Sequence, residues 1–143
     1  MQRPKILMVD DEEDLMKTLV NRLNKRNFKT TGVLSGEEAL ETIKKDPFDV
    51  VVLDVKMRGI DGIETLRELK KIDPGIEVIL LTGHASVDAA LDGMKLGAYE
   101  FLMKPCKIEE LIEKIDGAWE VKTERDKRIR LAEIRKTNAS AKL

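Results

Sequence analysis

The sequence predicts an open α/β domain in which a parallel sheet is covered by helices on both faces. Three observations carry the prediction. Ile6–Val9, Val50–Leu53 and Val78–Leu81 are short, unbroken apolar runs, as strands buried on both faces require. Helix-length segments with apolar residues three and four apart separate the strands, which calls for right-handed βαβ crossovers. Turn-forming residues mark the changes of period. The chain has 143 residues, enough for one domain with a core of its own.

Ile6 to Val9 opens the sheet. Leu15, Met16, Leu19, Val20 and Leu23 then fall at helical spacing. Phe28 to Val33 is a second strand, more polar than the first, and is expected at a sheet edge. Ser35, with Glu38 three residues on, forms a capping box that opens the helix carrying Ala39, Leu40 and Ile43; Pro47 closes that unit. Val50 to Leu53 is the third strand and ends at Asp54. Asp61-Gly62 marks a loop, followed by a helix through Ile63, Leu66 and Leu69 and a turn at Asp73-Pro74-Gly75. Val78 to Leu81 is the fourth strand, ending at Thr82-Gly83. The next helix carries Val87, Ala90, Leu91 and Met94 and stops near Gly97. Tyr99 to Met103 is the fifth strand and runs into Lys104-Pro105. Ile108, Leu111, Ile112, Ile115 and Trp119 draw one apolar stripe along the last helix. After Trp119 the chain becomes highly charged. Glu124–Arg128 and Asp126–Arg130 at i,i+4 spacing continue an exposed helix, and Thr137 to Leu143 is expected to fray.

Hydrophobic residues make up 42% of the chain and charged residues 37%, with a formal net charge of -1. Nothing in that balance points to nucleic acid or an anionic membrane. The single cysteine, Cys106, excludes an intramolecular disulfide and leaves no ligand set for structural zinc. Four apolar residues after Lys5 are too few for a signal peptide or a membrane span. The expected location is the cytoplasm.

The chemistry gathers at strand ends of one polarity. Asp10 and Asp11 follow the first strand, Asp54 ends the third, Thr82 follows the fourth and Lys104 the fifth. Open α/β sheets bind ligands at that edge. Stability gives no reason to bring three carboxylates together, since like charges repel and raise one another's pKa. A hard divalent cation relieves that repulsion; Mg2+ takes one or two carboxylates plus phosphate oxygens. Lys104 supplies a point charge for a phosphoryl oxygen, Thr82 a hydrogen bond, and a carboxylate can itself be the nucleophile.

Four segments carry a family resemblance: Ile6 to Glu12; Val50 to Asp54 with Met57 and Asp61-Gly62; Leu81 to His84; and Gly97 to Pro105. Together they resemble the receiver domain of bacterial two-component response regulators, of the stand-alone or NtrC-like kind, over roughly residues 5 to 119. The resemblance implies a flavodoxin-like (βα)5 fold with strand order 2-1-3-4-5. Residues 1–119 are the expected receiver, and 120–143 a charged helical extension. Asp54 would be the phospho-acceptor. Asp11, Asp10, Asp54 and the backbone carbonyl of Lys56 would hold Mg2+, with Asp10 acting through water or shaping the site. Lys104 would bind the phosphoryl group, Thr82 would be the switch hydroxyl, and Phe101 the aromatic that changes rotamer. A cis bond is implied at Lys104–Pro105. Many members have proline where this chain has Arg58.

The implied donor is a sensor histidine kinase or phosphotransfer protein, in a phosphorelay whose output partner is unknown. Such a domain is a signalling element and not an enzyme beyond its own phosphorylation and dephosphorylation. Neither direct DNA binding nor membrane association is expected. Ile129, Ala132 and Ile134 leave room for a homodimer. A stand-alone receiver is one reading, mildly favoured by the tail. The receiver of a longer transcription regulator is another, and a Mg2+-dependent aspartyl-phosphate phosphohydrolase a third. His84 reads as an exposed loop residue, Cys106 as a small packed one, and Trp119 as helix packing.

Overall fold

The five expected strands form, all parallel: β1 (Lys5–Val9), β2 (Lys29–Val33), β3 (Val50–Asp54), β4 (Glu77–Thr82) and β5 (Glu100–Met103). They form one sheet in the order β2-β1-β3-β4-β5. The structure is a computed structural model and describes residues 3–141. The helices between strands are α1 (Glu13–Lys25), α2 (Gly36–Lys45), α3 (Gly62–Ile72) and α4 (Val87–Lys95), with α5 (Ile108–Ala141) closing the chain. A short 3-10 turn, His84–Ser86, precedes α4.

Alternation within each strand builds two cores. Leu7, Val9, Val51, Leu53, Val78 and Leu80 face α2, α3 and α4, against Ala39, Ile43, Leu66, Leu69 and Ala90. Ile6, Met8, Val50, Val52, Ile79 and Leu81 face α1 and α5, against Leu19, Leu23, Leu111 and Ile115. Each fully buried side chain of this size contributes about 1.5–3 kcal/mol. The central strands β3 and β4 are buried along their whole length. The polar β2 lies at an edge, as its composition predicts.

The helix starts bring one confirmation and one correction. Ser35 accepts a hydrogen bond from the Glu38 N–H at 3.1 Å, and Glu38 reaches back to the Leu34 N–H at 3.3 Å, one residue before the capping-box position. Asp61-Gly62 is not loop: Asp61 is the N-cap of α3, accepting from the Glu64 N–H at 2.9 Å, and Gly62 is the first helical residue. A Cβ on Gly62 would stand 2.3 Å from the carbonyl oxygen of Asp54. Glycine is therefore what lets α3 begin against the end of β3. Leu91, expected on the packed face of α4, is 47% exposed.

The helix after Trp119 continues, but its pairing differs from expectation. The Glu124–Arg128 and Asp126–Arg130 pairs do not form among the described residues. Asp126 pairs instead with Lys122 at 2.9 Å. Lys122 is drawn inward by Asp49, at 3.6 Å, just before β3. One turn on, Arg125 donates to Glu77 at 2.8 Å and to the Gly75 carbonyl at 2.6 Å. These bonds clamp the root of the extension to the edge of the sheet opposite the strand ends that carry Asp54 and Lys104. From Lys127 to Ala139 every residue is exposed. The helix runs through Thr137 to Ala141 where fraying was expected; Lys142 and Leu143 lie outside the described residues. Because Glu77 is buried, Arg125→Ala leaves a carboxylate unpaired. The expected loss is about 1–3 kcal/mol, read as a lower midpoint in urea unfolding.

Candidate functional site

Four strand ends, those of β1, β3, β4 and β5, converge where the strand order reverses between β1 and β3. Asp10 lies directly after β1 and is fully buried. One of its oxygens accepts the Glu12 N–H at 2.9 Å and the other accepts the Lys104 ammonium at 2.9 Å. Asp54, the last residue of β3, is 4% exposed. Its Oδ2 lies 3.3 Å from Lys104 Nζ, and its Oδ1 accepts a long bond of 3.4 Å from the Lys56 N–H. Asp11 sits further out, half-buried, with Oδ2 accepting from the Arg58 N–H at 3.0 Å and Arg58 Nε at 3.3 Å. One carboxylate oxygen from each of Asp10, Asp11 and Asp54 lies within 4.8 Å of the others.

The electrostatics follow from this crowding. Burial, then the Asp10 charge, push the Asp54 carboxyl up to about 6, against the pull of Lys104 and the Lys56 N–H. Burial pulls Lys104 down, but its bond to Asp10 and the charge of Asp54 outweigh that, and its pKa is raised. The lysine stays an ammonium, and that ammonium with the solvent-exposed guanidinium of Arg58 on Asp11 does not offset three carboxylates. That deficit, together with an all-oxygen donor set of suitable spacing, fits a hard divalent cation such as Mg2+.

Thr82, at the end of β4, is buried, and its hydroxyl donates to the Gly83 carbonyl at 3.1 Å. Phe101 pairs across with Leu80, two residues before Thr82 on the same face of the sheet, and is half-buried against the α2–α4 core. The Lys104–Pro105 bond is cis. A cavity of about 280 Å3 opens beside Asp54, lined by Lys56, Gly83, His84, Ser86 and Lys104 among others. The structure thus brings together Asp10, Asp11, Asp54 and Lys104. Lys56 lines the cavity, Thr82 is buried at the end of β4 next to the lining residue Gly83, and Phe101 packs in the core on the α2–α4 side.

Three residues escaped the sequence reading. Glu12, given no role there, comes within 3.7 Å of the Lys104 ammonium. Arg58 binds Asp11; its only sequence signal was that it replaces a proline. Glu37 accepts from the Ile60 N–H at 2.8 Å and carried no signal, because the contact joins residues 23 apart across two elements.

The comparisons agree with this geometry. Residues 6–116 match the family described as the response regulator receiver domain. The transcriptional regulatory protein GlrR of Escherichia coli is 35% identical over 115 residues, covering 80% of this chain and 26% of that protein. The chain therefore spans about a quarter of the length of such curated relatives. A receiver domain protein from Clostridium thermocellum superposes with a TM-score of 0.80 at 36% identity, over 83% of this chain and 96% of that one. A chain described as an adenylate cyclase from Rhodopirellula baltica does so at 0.87 and 31%, over 92% and 98%. With the strand order, the acidic edge and the family match all in agreement, the chain belongs to the receiver domains of two-component response regulators.

Proposed function

We propose that Asp54 accepts a phosphoryl group from a sensor histidine kinase or phosphotransfer protein, with Mg2+ at the acidic edge. The observation that carries this reading is the meeting of three carboxylates and one ammonium where β1, β3 and β5 end. An oxygen of Asp54 forms the new bond to phosphorus. The donor's own bond to phosphorus breaks, and its electron pair leaves with the donor. Lys104 holds a phosphoryl oxygen by charge. Asp10, Asp11, Asp54 and the Lys56 carbonyl would hold Mg2+, which supplies positive charge against the carboxylates and the incoming oxygens.

The rest is a two-state shift. The new group adds negative charge and strong acceptor oxygens. The Thr82 hydroxyl gives up its bond to the Gly83 carbonyl to donate to the phosphoryl group. Phe101 moves into the space behind it, and the surface of α4, β5 and α5 changes shape. Residues 1–119 act as the receiver, and residues 120–143 form its charged extension. The output is read as protein contact, with no DNA contact assigned to residues 3–141. Self-association through Ile129, Ala132 and Ile134 belongs to the same proposal, and sedimentation equilibrium would read it. The relatives that are named transcriptional regulators favour a second reading, the receiver of a longer regulator of transcription. No described helix is long and apolar enough to cross a membrane.

A small phosphodonor with Mg2+ tests the chemistry. The expected result is one added phosphoryl group in the intact mass, absent when Mg2+ is chelated. Donor consumption without an adduct would point to a phosphohydrolase, and an unchanged adduct in chelator would remove the metal from the scheme.

A further inference from the structure

The segment between β3 and α3 is pinned at two points. At one, Arg58 donates twice to Asp11 Oδ2, through its backbone N–H at 3.0 Å and its Nε at 3.3 Å. A proline there could offer neither bond. At the other, Glu37 from the start of α2 accepts the Ile60 N–H at 2.8 Å. Between them Gly59 has φ +77°, a conformation glycine adopts without strain. The Glu37 bond ties the segment to α2 at a point separate from the Arg58–Asp11 contact. The Arg58 side chain is 88% exposed and that of Asp11 17%, so the guanidinium is free to leave while the carboxylate is not.

We propose that Arg58 competes with the metal: it occupies one oxygen of Asp11, keeps a positive charge beside the acidic cluster, and so weakens Mg2+ binding. It thereby sets the Mg2+ concentration at which Asp54 can be phosphorylated. This inference rests on the Mg2+ site proposed above. The sign follows from charge. Asp11 is the outermost of the three carboxylates, and its cationic partner is Arg58. A divalent cation arriving at the same carboxylate meets a like charge a few ångströms away. Solvent screens that repulsion, which limits the effect to about three- to ten-fold at low salt. Lys104 differs in kind, because it is half-buried and held by both Asp10 and Asp54.

Titrating Mg2+ alone into the chain, followed by amide shifts of residues 54–62, measures the affinity without phosphorylation. Arg58→Ala is expected to bind Mg2+ about three- to ten-fold more tightly than wild type at low ionic strength. The two should converge at about 1 M NaCl, where screening acts over about 3 Å. Arg58→Lys, which keeps the charge, should stay within two-fold of wild type on the scale set by that repulsion. The urea midpoint in chelator should move little, since the guanidinium is exposed and Arg58→Ala leaves the backbone N–H bond to Asp11 in place. Equal affinities for wild type and Arg58→Ala, or weaker binding by Arg58→Ala, would overturn the competition. Absence of Mg2+ binding by the wild type, or undiminished binding by Asp11→Asn, would instead overturn the metal site on which it rests.

Discussion

Asp54→Ala is expected to take up no phosphoryl group from a small donor under conditions in which the wild-type chain is expected to gain one, and Asp54→Asn is expected to be more stable than wild type at pH 8 without divalent cations. Both outcomes follow from the position of one carboxylate. Asp54 is the buried end of β3 and the only one of the three acids that reaches both Lys104 and the open cavity. Its folded pKa is raised to about 6 from 3.8, by burial first and by the Asp10 charge second. Between those two values the folded chain holds a proton that the unfolded chain has lost. The stability linked to Asp54 is therefore complete below about pH 4 and falls as pH rises toward 6. Asparagine removes that slope. The expected gain is about 1–3 kcal/mol at pH 8 and nothing at pH 3.5, read as urea midpoints at the two pH values. A variant that still acquires the phosphoryl mass, or a wild type with a flat pH profile, would contradict the assignment.

Lys104→Ala carries the largest expected cost in stability. The ammonium lies 2.9 Å from Asp10, 3.3 Å from Asp54 and 3.7 Å from Glu12, and Asp10 has no exposed surface. Removing it leaves a buried carboxylate without its cation, which costs about 3–5 kcal/mol at neutral pH. The loss should shrink near pH 5, where Asp54 takes up a proton, and should shrink with added Mg2+, which in the proposed site would bind only the folded arrangement. Urea unfolding at pH 5 and pH 8, with and without Mg2+, measures both effects. If the midpoint at pH 8 does not fall, Lys104 is not the counter-ion of the cluster. If Mg2+ restores nothing, the cluster is not a metal site.

The two variants differ in what they report. Asp54 reports a repulsion that the fold tolerates, and Lys104 the charge that makes it tolerable. A buried acidic cluster of this kind lowers stability in the resting state. Its presence at a strand edge is an argument for chemistry because packing gains nothing from it.

Much of this was legible in the residues because the signals are local. Unbroken apolar runs state burial on both faces, and so state a parallel sheet. Strand ends of one polarity must share an edge, so Asp10, Asp11, Asp54, Thr82 and Lys104 could be placed together from order alone. Ser35 and Glu38 announce a helix start within four residues. Asp61-Gly62 was misread because the glycine's reason lies elsewhere in space, in the Asp54 carbonyl that a Cβ would strike. The pair assigned to Asp126 failed for a similar reason: Lys122, which Asp49 draws in from a distant strand start, offers Asp126 a cation on the other side. Nothing in the structure explains the missing Glu124–Arg128 pair.

By itself the sequence determined the alternation of strands and helices, the two-sided core and the residue types at the acidic edge, because periodicity and strand polarity act over a few residues. Only the tertiary structure decided which charges meet. It put Lys104 against Asp10 and Asp54, Arg58 on Asp11, Glu37 on the Ile60 amide and Arg125 on Glu77. Those contacts depend on distances between elements far apart in the chain, and electrostatic energy is set by distance and burial, neither of which is written in residue order.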